Sequence, residues 1–150
     1  MRIKKQDLYF GAALMQVIES SEDVLINRVS GNLYRLLVLS ASKAKQYRFI
    51  YIKFVSPKKE PFRFAFTKLE RTLLNERFRA KEPVFVVLVC SSEYICVLDK
   101  AKFMKLSKDP HRLVLHVETP EVGRIRVFNY EASSQPVLVP HTAFPKDVIS

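Results

Sequence analysis

The fold is decided by a stretch of nine residues, Tyr47-Arg48-Phe49-Ile50-Tyr51-Ile52-Lys53-Phe54-Val55. It contains no Gly or Pro and is rich in β-branched and aromatic residues, a composition that predicts a β-strand. Successive side chains of a strand point to opposite faces, and both faces here are mostly apolar, which indicates a central strand covered on each side. Lys53 interrupts this pattern, and burying its ammonium is costly unless the group is paired or reaches water. Lys53 is therefore a candidate functional residue, with two structural alternatives: its amine reaches the sheet edge, or it pairs with Glu19.

The flanking sequence predicts helices and strands around this central strand. Thr67-Lys68-Leu69-Glu70 matches a capping box, in which the Thr hydroxyl and the Glu carboxylate each accept a hydrogen bond from a backbone N–H at a helix start. Apolar periodicity, turn residues and Pro83 place the other boundaries. The predicted elements are a helix over residues 5–19, strands over 24–29, 33–40 and 47–55 with a polar link over 41–46, an extended piece over 62–66, a helix over 68–81, strands over 84–90 and 94–98, a short helix capped by Asp99, a hairpin of 112–118 and 124–128, and an extended, irregular tail over the last twenty residues.

These elements predict a single domain over residues 1–150, of the α/β class on the border with α+β. Three successive strands with short links form an antiparallel meander, and the apolar run over 84–90 is typical of a strand inside a sheet covered by helices. We expect a mixed central sheet flanked by two main helices, those over residues 5–19 and 68–81.

The charge is strongly positive and unevenly distributed. The net charge is +10, and residues 1–68 carry 13 Lys or Arg against 5 Asp or Glu. A basic half of this kind favours an anionic partner, of which nucleic acid is the commonest. The alternative is a solvated basic surface that only aids solubility.

The chain shows no pattern of a membrane segment, a secretory leader or a metal site. Its longest strongly apolar run, residues 84–90, is too short to span a bilayer, and the N-terminal segment lacks a small-residue cleavage site. Cys90 and Cys96 match no common zinc spacing and are expected to be buried thiols of a hairpin. We therefore predict no metal ligand, no resident cofactor, no membrane partner and a cytoplasmic location.

The order of the elements carries a resemblance to a known group of proteins. A helix, a meander ending in a lysine-bearing strand, a capped helix and an apolar strand follow one another over residues 6–98. This order resembles the PD-(D/E)xK nuclease-like superfamily, which includes Holliday-junction resolvases and many restriction endonucleases. The resemblance implies a restriction-endonuclease-like core over residues 6–98, with a C-terminal strand and tail extension over 99–150. It also implies an acid, a spacer and a lysine on the third strand, an Asp on an earlier strand and often a Glu on the first helix, of which the acids hold Mg²⁺ and the lysine helps position or activate the attacking water.

Carried over by position, Lys53 matches the lysine of that motif and Glu19 matches the acid of the first helix. Tyr51 stands where the acid belongs, and a phenol is a poor Mg²⁺ ligand at neutral pH. Residues 24–59 contain no Asp or Glu but eight Lys or Arg, so the strands lack the clustered carboxylates that metal-dependent phosphodiester hydrolysis needs. The active-site motif is degenerate, and an endonuclease would have to use relocated acids beside Lys53, drawn from Glu19, Glu22, Asp23 and Glu60, of which Glu19 and Asp23 are the candidates.

Six cations are the predicted contacts to nucleic acid. The loop after the central strand combines cations with the phenylalanines that follow it, and such a combination offers phosphate contacts and base stacking. The alternative places every Phe in the core and every cation in water. The predicted contacts are Lys43, Lys45, Arg48, Lys58, Lys59 and Arg63.

Three functions remain open at this point. The first is a non-catalytic nucleic-acid-binding or accessory protein on a nuclease-like scaffold, with DNA and RNA undistinguished. The second is a Mg²⁺-dependent endonuclease that uses Glu19, Asp23 and Lys53, and only this one requires a cofactor. The third is an interaction module whose exposed strands form a homodimer, with the basic charge incidental.

Overall fold

The structure is a computed structural model that describes residues 2–20, 23–40, 43–109, 112–129 and 135–150, without the side chains of residues 40 and 43–46. Within these ranges the backbone forms nine β-strands and four α-helices. None of the helices in the described ranges combines the length and the apolar character that crossing a bilayer requires. In chain order the elements are α1 (Lys5–Ser20), β1 (Val24–Ser30), β2 (Leu33–Ser40), β3 (Lys43–Val55), β4 (Phe62–Ala65), α2 (Lys68–Phe78), β5 (Val84–Cys90), β6 (Tyr94–Leu98), α3 (Lys100–Leu106), β7 (Val114–Glu121), β8 (Arg124–Asn129), β9 (Val137–Pro140) and α4 (Ala143–Ile149).

The first sheet is the mixed sheet that the sequence predicts. Five of the described strands form it, in the order β1-β2-β3-β5-β6. β1, β2 and β3 are an antiparallel meander, β5 runs parallel to β3, and β6 runs antiparallel to β5. Gly31, in the turn between β1 and β2, adopts a φ of +51°, which glycine tolerates at little cost. β3 lies in the middle of the sheet, and its Ile50 and Ile52 are fully buried, so the central position predicted for residues 47–55 is confirmed.

Two predicted boundaries differ from the structure. β3 begins at Lys43, so most of the predicted polar link over 41–46 is strand; residues 41 and 42 lie outside the described residues. The reason is register, since Val38 pairs with Gln46 and the β2–β3 ladder therefore continues past the apolar pattern. α2 ends at Phe78 rather than at residue 81, because the chain tightens there and the N–H of Arg79 bonds to the carbonyl of Glu76.

A second, antiparallel sheet is absent from the sequence prediction. Its order is β4-β7-β8-β9, so the predicted extended piece and the predicted hairpin belong to one sheet. The irregular tail predicted for the last twenty residues is wrong for the part that the structure describes, residues 135–150, since it contains β9 and α4. β9 pairs only with β8 among the described strands. Pro140 is therefore tolerated at its end, because an edge strand needs fewer ladder donors, while Val137 and Val139 face the core.

Different elements cover the two faces of the first sheet. On one face lie α1 and α4, and the ring of Tyr9 in α1 stacks on Phe54 with the centroids 5.0 Å apart. On the other lie α2, α3 and the second sheet, where Phe62 of β4 contacts Tyr94 of β6. Because neighbouring residues of a strand point to opposite faces, Lys53 points away from α1 and towards α2.

Candidate functional site

Lys53 is held by three hydrogen bonds within the protein. Its Nζ donates to Glu70 Oε2 at 2.8 Å, to Glu70 Oε1 at 2.9 Å and to the backbone carbonyl of Ala65 at 2.7 Å. Nζ also lies 4.7 Å from the centroid of the Phe66 ring. An ammonium has three N–H donors, so all three are directed at protein oxygens.

Glu70 connects this lysine to the start of α2. Its carboxylate also accepts the O–H of Tyr51 at 2.5 Å and the backbone N–H of Thr67 at 3.1 Å. The Thr67 hydroxyl in turn accepts the N–H of Glu70 at 3.2 Å, so the predicted capping box is confirmed. Each carboxylate oxygen of Glu70 therefore accepts two hydrogen bonds, which occupies the roughly four lone-pair sites of a carboxylate. A metal ion could bind Glu70 only by displacing one of these donors.

The ionisation of this cluster follows from its hydrogen bonds. Burial raises the pKa of Glu70, but the hydrogen bonds from Lys53, Tyr51 and Thr67 outweigh burial and hold the pKa below its ordinary value. Burial, the hydrogen bond to Glu70 and the charge of Glu70 together raise the pKa of Tyr51 far above its ordinary range. Tyr51 thus stays a protonated donor and Glu70 a charged acceptor, and the cluster is a closed ion-pair network.

Glu19 does not lie beside Lys53. It is exposed in the last turn of α1, which covers the opposite face of the first sheet. It also lies about 15 Å along the helix from the contact between Tyr9 and Phe54, at 1.5 Å per residue. The predicted alternative of a Lys53–Glu19 pair is therefore wrong, and the acid that pairs with Lys53 is Glu70.

Asp23 is also distant from Lys53. It is exposed just before β1, and the next residue, Val24, aligns through β2 with Gln46 of β3. Gln46 lies about 23 Å along the strand from Lys53, at 3.3 Å per residue. The predicted trio of Glu19, Asp23 and Lys53 is therefore not assembled in the structure. Among the described residues, no three His, Cys, Asp or Glu side chains cluster closely enough to hold a metal ion.

The predicted nucleic-acid contacts do not form one surface. Lys43 and Lys45 belong to the start of β3, and Lys45 lies about 33 Å along the strand from Val55; the side chains of both lysines are outside the described part of the structure. Lys58 and Lys59 are exposed in the loop beyond the other end of β3. The two pairs are thus separated by most of the length of β3.

Arg48 is a structural residue rather than a surface contact. It is 7% exposed, and its Nη1 donates to the backbone carbonyl of Val148 in α4 at 2.6 Å. Burial lowers its pKa. Its assignment as a nucleic-acid contact is therefore corrected, because a buried guanidinium that ties α4 to β3 cannot reach a phosphate in solvent.

Arg63 belongs to a row of side chains, formed across three strands, that no local sequence pattern indicates. It pairs across β4 and β7 with His116, which pairs across β7 and β8 with Phe128. The rings of His116 and Phe128 have centroids 5.3 Å apart. We call this row, together with Arg126, the outer face of the second sheet. Arg126 lies over the Phe128 ring at 5.9 Å and forms an ion pair with Glu118.

The outer face combines cations with half-buried rings. Arg63 is exposed, and His116, Arg126 and Phe128 are half-buried. Burial and then the charge of Arg63 lower the pKa of His116, while Glu118 acts in the opposite direction. His116 is therefore neutral at physiological pH and presents an uncharged ring. The alternation of polar and apolar residues over 124–128 indicates a strand with one outward face. It does not indicate which strands lie beside it and add Arg63 and His116 to that face.

A cavity of about 650 Å³ opens between the loop after β3, the start of β6 and the β7–β8 turn. The Glu60 carboxylate in its wall accepts hydrogen bonds from the Thr119 hydroxyl at 2.6 Å, the Thr119 N–H at 3.1 Å and the Tyr94 hydroxyl at 2.9 Å. Burial raises the pKa of Glu60, but these bonds outweigh it and lower the pKa. The ionisable residues that line this cavity are Lys58, Glu60, Glu93, Tyr94, Glu121 and His141. Lys58 thus stands beside three carboxylates, which weakens it as a phosphate contact.

A second cavity, of about 540 Å³, lies between α3 and β9. We call it the lysine groove. The residues that line it are Lys102, Lys105, Lys108, Gln135, Pro136, Val137 and Leu138. Among the described residues, no Asp or Glu lines it, whereas the first cavity is lined by three carboxylates. No local sequence pattern indicates this groove, because its two walls lie about thirty residues apart in the chain.

Both cysteines are buried free thiols, as the sequence predicts. Burial is the main cause that raises the pKa of Cys96 to about 12 and the pKa of Cys90 further still. A thiol in such surroundings is a poor nucleophile, because the thiolate is the reactive form.

Comparison of the chain with protein-family models, with curated proteins and with solved structures finds no match in any of the three. Fold and site define an α+β protein with two sheets, a closed Lys53–Glu70 network and basic outer surfaces.

Proposed function

We propose that this protein binds nucleic acid and does not cleave it. The observation that carries the proposal is the row of Arg63, His116 and Phe128 on the outer face of the second sheet. A guanidinium binds phosphate, and aromatic rings stack on bases with about 1–3 kcal/mol per base. Every base has a π-face, so such a surface binds single strands with little sequence preference, and DNA and RNA are both candidate partners.

The overall charge supports the same partner. With a net charge of +10, the protein attracts a polyanion at long range, and counterion release adds to the affinity at each phosphate contact. Among the members of the predicted contact set whose side chains the structure describes, Arg63, Lys58 and Lys59 are exposed, and of these Arg63 adjoins the rings.

We propose that the protein does not cleave nucleic acid because the amine of Lys53 is already bonded within the protein. An amine that activates water has to face substrate, whereas the three donors of Lys53 are directed at Glu70 and Ala65. The carboxylate of Glu70 also accepts hydrogen bonds from the N–H of Thr67, at the start of α2, and from the hydroxyl of Tyr51. We therefore assign this pair to stability rather than to chemistry.

The resemblance to the PD-(D/E)xK superfamily enters the proposal as a scaffold only. α1, the meander of β1 to β3, α2 and β5 follow the element order on which that resemblance rests, and β5 runs parallel to β3. The second sheet is not part of this order, although its strand β4 lies between β3 and α2, and it carries the proposed binding surface. An accessory role beside other nucleic-acid-processing proteins is part of the proposal.

A titration of labelled oligonucleotides followed by fluorescence anisotropy tests the proposal. The logarithm of the affinity should fall linearly with the logarithm of the salt concentration. Phe128→Leu should weaken binding to a single strand by about fivefold or more through lost stacking, with the salt slope unchanged. Arg63→Gln should reduce the salt slope by about 0.7 on a single strand.

Lys146→Gln is the matched control, since Lys146 is exposed in α4 on the far side of the first sheet. Binding that does not respond to salt, or Phe128 and Arg63 variants that behave like the control, would reject the proposal.

A homodimer is the second candidate function, favoured by apolar side chains on the outward side of α1. Leu8, Met15 and Ile18 are 62%, 51% and 47% exposed, at helical spacing that places them along one side. A second copy of the chain would cover them. Light scattering at several protein concentrations should then give twice the chain mass for the native protein and the chain mass for the Leu8→Gln/Met15→Gln variant. A mass equal to one chain at every concentration would exclude this candidate.

A further inference from the structure

We infer that the lysine groove holds phosphate groups of the bound nucleic acid. This inference rests on the proposed function. It adds the site at which most contacts between protein cations and nucleic-acid phosphates are made. The groove is formed by Lys102 and Lys105 of α3, by Lys108 just after α3, and by the edge strand β9. None of these lysines was among the contacts predicted from the sequence.

The size and lining of the groove suit a nucleotide. Its volume of about 540 Å³ is within the range of roughly 300–1,000 Å³ that is typical of ligand sites. Three ammonium groups and the amide of Gln135 supply donors, while Pro136 and Leu138 supply an apolar wall. Such a wall can contact a sugar or a base while the lysines bind phosphate oxygens.

The backbone that carries these lysines is fixed before any ligand binds. Arg71 of α2 donates from Nη2 to the carbonyls of Ser107 at 3.4 Å and Asp109 at 2.5 Å, on either side of Lys108. The buried Asn129 donates from Nδ2 to the carbonyl of Leu106 at 3.0 Å. These bonds satisfy the C-terminal end of α3 and hold the following turn in place.

The start of α3 is fixed in the same way. Asp99 accepts the N–H of Lys102 at 2.8 Å, so the N-cap predicted from the sequence is confirmed. With both ends of a short helix held, the spacing of Lys102, Lys105 and Lys108 is set by the protein rather than by the ligand. A backbone fixed in this way lowers the part of the entropic cost of binding that ordering the chain would add.

Cations lie along one wall of the groove. Lys102 and Lys105 are three residues apart on α3, and Lys108 follows just after the helix, so like charges are neighbours on this wall. The helix dipole favours a cation in the last turn, where Lys105 lies, but disfavours one in the first turn, where Lys102 lies. A phosphate bound in the groove would offset part of this repulsion.

The groove is continuous with the outer face of the second sheet. Leu138 in its wall pairs with Arg126 of β8, and β8 also carries Phe128. The four strands from β4 to β9 span about 14 Å at the usual strand spacing. A single strand of a few nucleotides can therefore run from Arg63 across the rings to the lysines.

The test uses the triple variant Lys102→Gln/Lys105→Gln/Lys108→Gln against a control with the same change in charge, Lys4→Gln/Lys5→Gln/Lys146→Gln. The control lysines lie at the start of α1 and in α4, on the other side of the first sheet. Anisotropy titrations over a range of salt concentrations should show that the groove variant loses about 2 units of salt slope on a single strand and about 2.7 on a duplex. The control variant should lose less than half as much.

Three results would overturn the inference. If the groove variant and the control change the slope equally while Phe128→Leu still weakens binding, the protein binds nucleic acid elsewhere and only the groove is wrong. If the native protein shows no salt-dependent binding at all, the proposed function itself fails. If calorimetry shows pyrophosphate binding that the groove variant loses, and oligonucleotides do not compete, the groove serves a small phosphorylated ligand instead.

Folding of the variants is checked by circular dichroism and thermal melting. Should the triple variant melt early, the single variants Lys105→Gln and Lys108→Gln replace it, since both residues are exposed. Each should lose about 0.7 units of slope on a single strand, and an unchanged slope in both would equally reject the groove.

Discussion

Replacing Glu70 by Gln keeps the shape of the side chain but removes its charge and turns one oxygen, which accepts two hydrogen bonds, into an NH2 group that cannot accept them. A hydrogen bond to a charged group contributes about 1.5–3 kcal/mol, against roughly 0.5–1.5 for a neutral one, so each bond from Lys53 and Tyr51 weakens by about 1 kcal/mol. The side chains of Lys53 and Glu70 are 15% and 18% exposed, and solvent screens part of the loss. We expect the free energy of unfolding to fall by about 2 kcal/mol at pH 7.

This loss should depend on pH in a defined direction. The pKa of Glu70 is lowered in the folded protein, whereas an unfolded Glu has a pKa of about 4.3. The carboxylate therefore contributes its stability above the unfolded pKa, and the contribution disappears as the pH falls through the folded pKa. The difference between the native protein and Glu70→Gln should be full at pH 7 and shrink towards zero in acid, below about pH 4.

Urea unfolding at pH 7, 5 and 3.5 measures both the loss in free energy of unfolding at pH 7 and its dependence on pH. Glu76→Gln is the control, because Glu76 is exposed on the same helix, and it should change the free energy of unfolding by less than about 0.5 kcal/mol. If Glu70→Gln is no more destabilising than this control at pH 7, or if its effect does not vary with pH, the network does not stabilise the fold. The reason for treating Lys53 as structural would then be lost.

Two further predictions concern buried groups. Arg48→Lys should lower the free energy of unfolding by about 1–3 kcal/mol, because Lys cannot reproduce the bond to Val148 at the same geometry. It should leave the salt slope of oligonucleotide binding unchanged; a reduced slope would return Arg48 to the binding surface. Cys90 and Cys96 should react with a thiol reagent only after urea unfolds the chain, since burial raises the pKa of both. Rapid reaction of the native protein, followed by absorbance, would contradict their buried placement.

The first sheet could be predicted because local patterns specify it. The apolar stretches of β3 and β5 and the capping box at Thr67 each act over a few residues. They therefore indicate the correct element without any knowledge of what it packs against. The meander followed from the short links between its strands.

The second sheet could not be predicted in the same way. β4 and β9 have four residues each. β4 pairs with β7, which is distant in sequence, and β9 lies in the last twenty residues, a segment that holds three prolines. Strand pairing of this kind depends on the packing of the whole core rather than on a local pattern. The same segment explains why α4, and with it the role of Arg48, was missed.

At the site, the sequence showed that Lys53 needs a partner but not which one. The sequence around Glu70 identifies it as a capping residue. No local pattern indicates that the same carboxylate also binds the amine of Lys53. The deciding fact is that α1 covers the face of β3 that carries Phe54, which leaves Lys53 to α2. The lysine groove was missed for a similar reason, since α3 and β9 meet only in the folded chain.

One measurement tests the central claim, binding without cleavage, most directly. Circular single-stranded DNA and supercoiled plasmid are each incubated with increasing amounts of the protein in the presence of Mg²⁺ or Mn²⁺ and run on a native gel, and a second portion of each is run after the protein has been removed. We predict that the single-stranded DNA is retarded on the native gel and that both DNAs are intact after deproteinisation, with native protein and Lys53→Ala alike. Metal-dependent nicked or linear DNA that disappears with Lys53→Ala would contradict the account, and so would the absence of retardation of the single-stranded DNA.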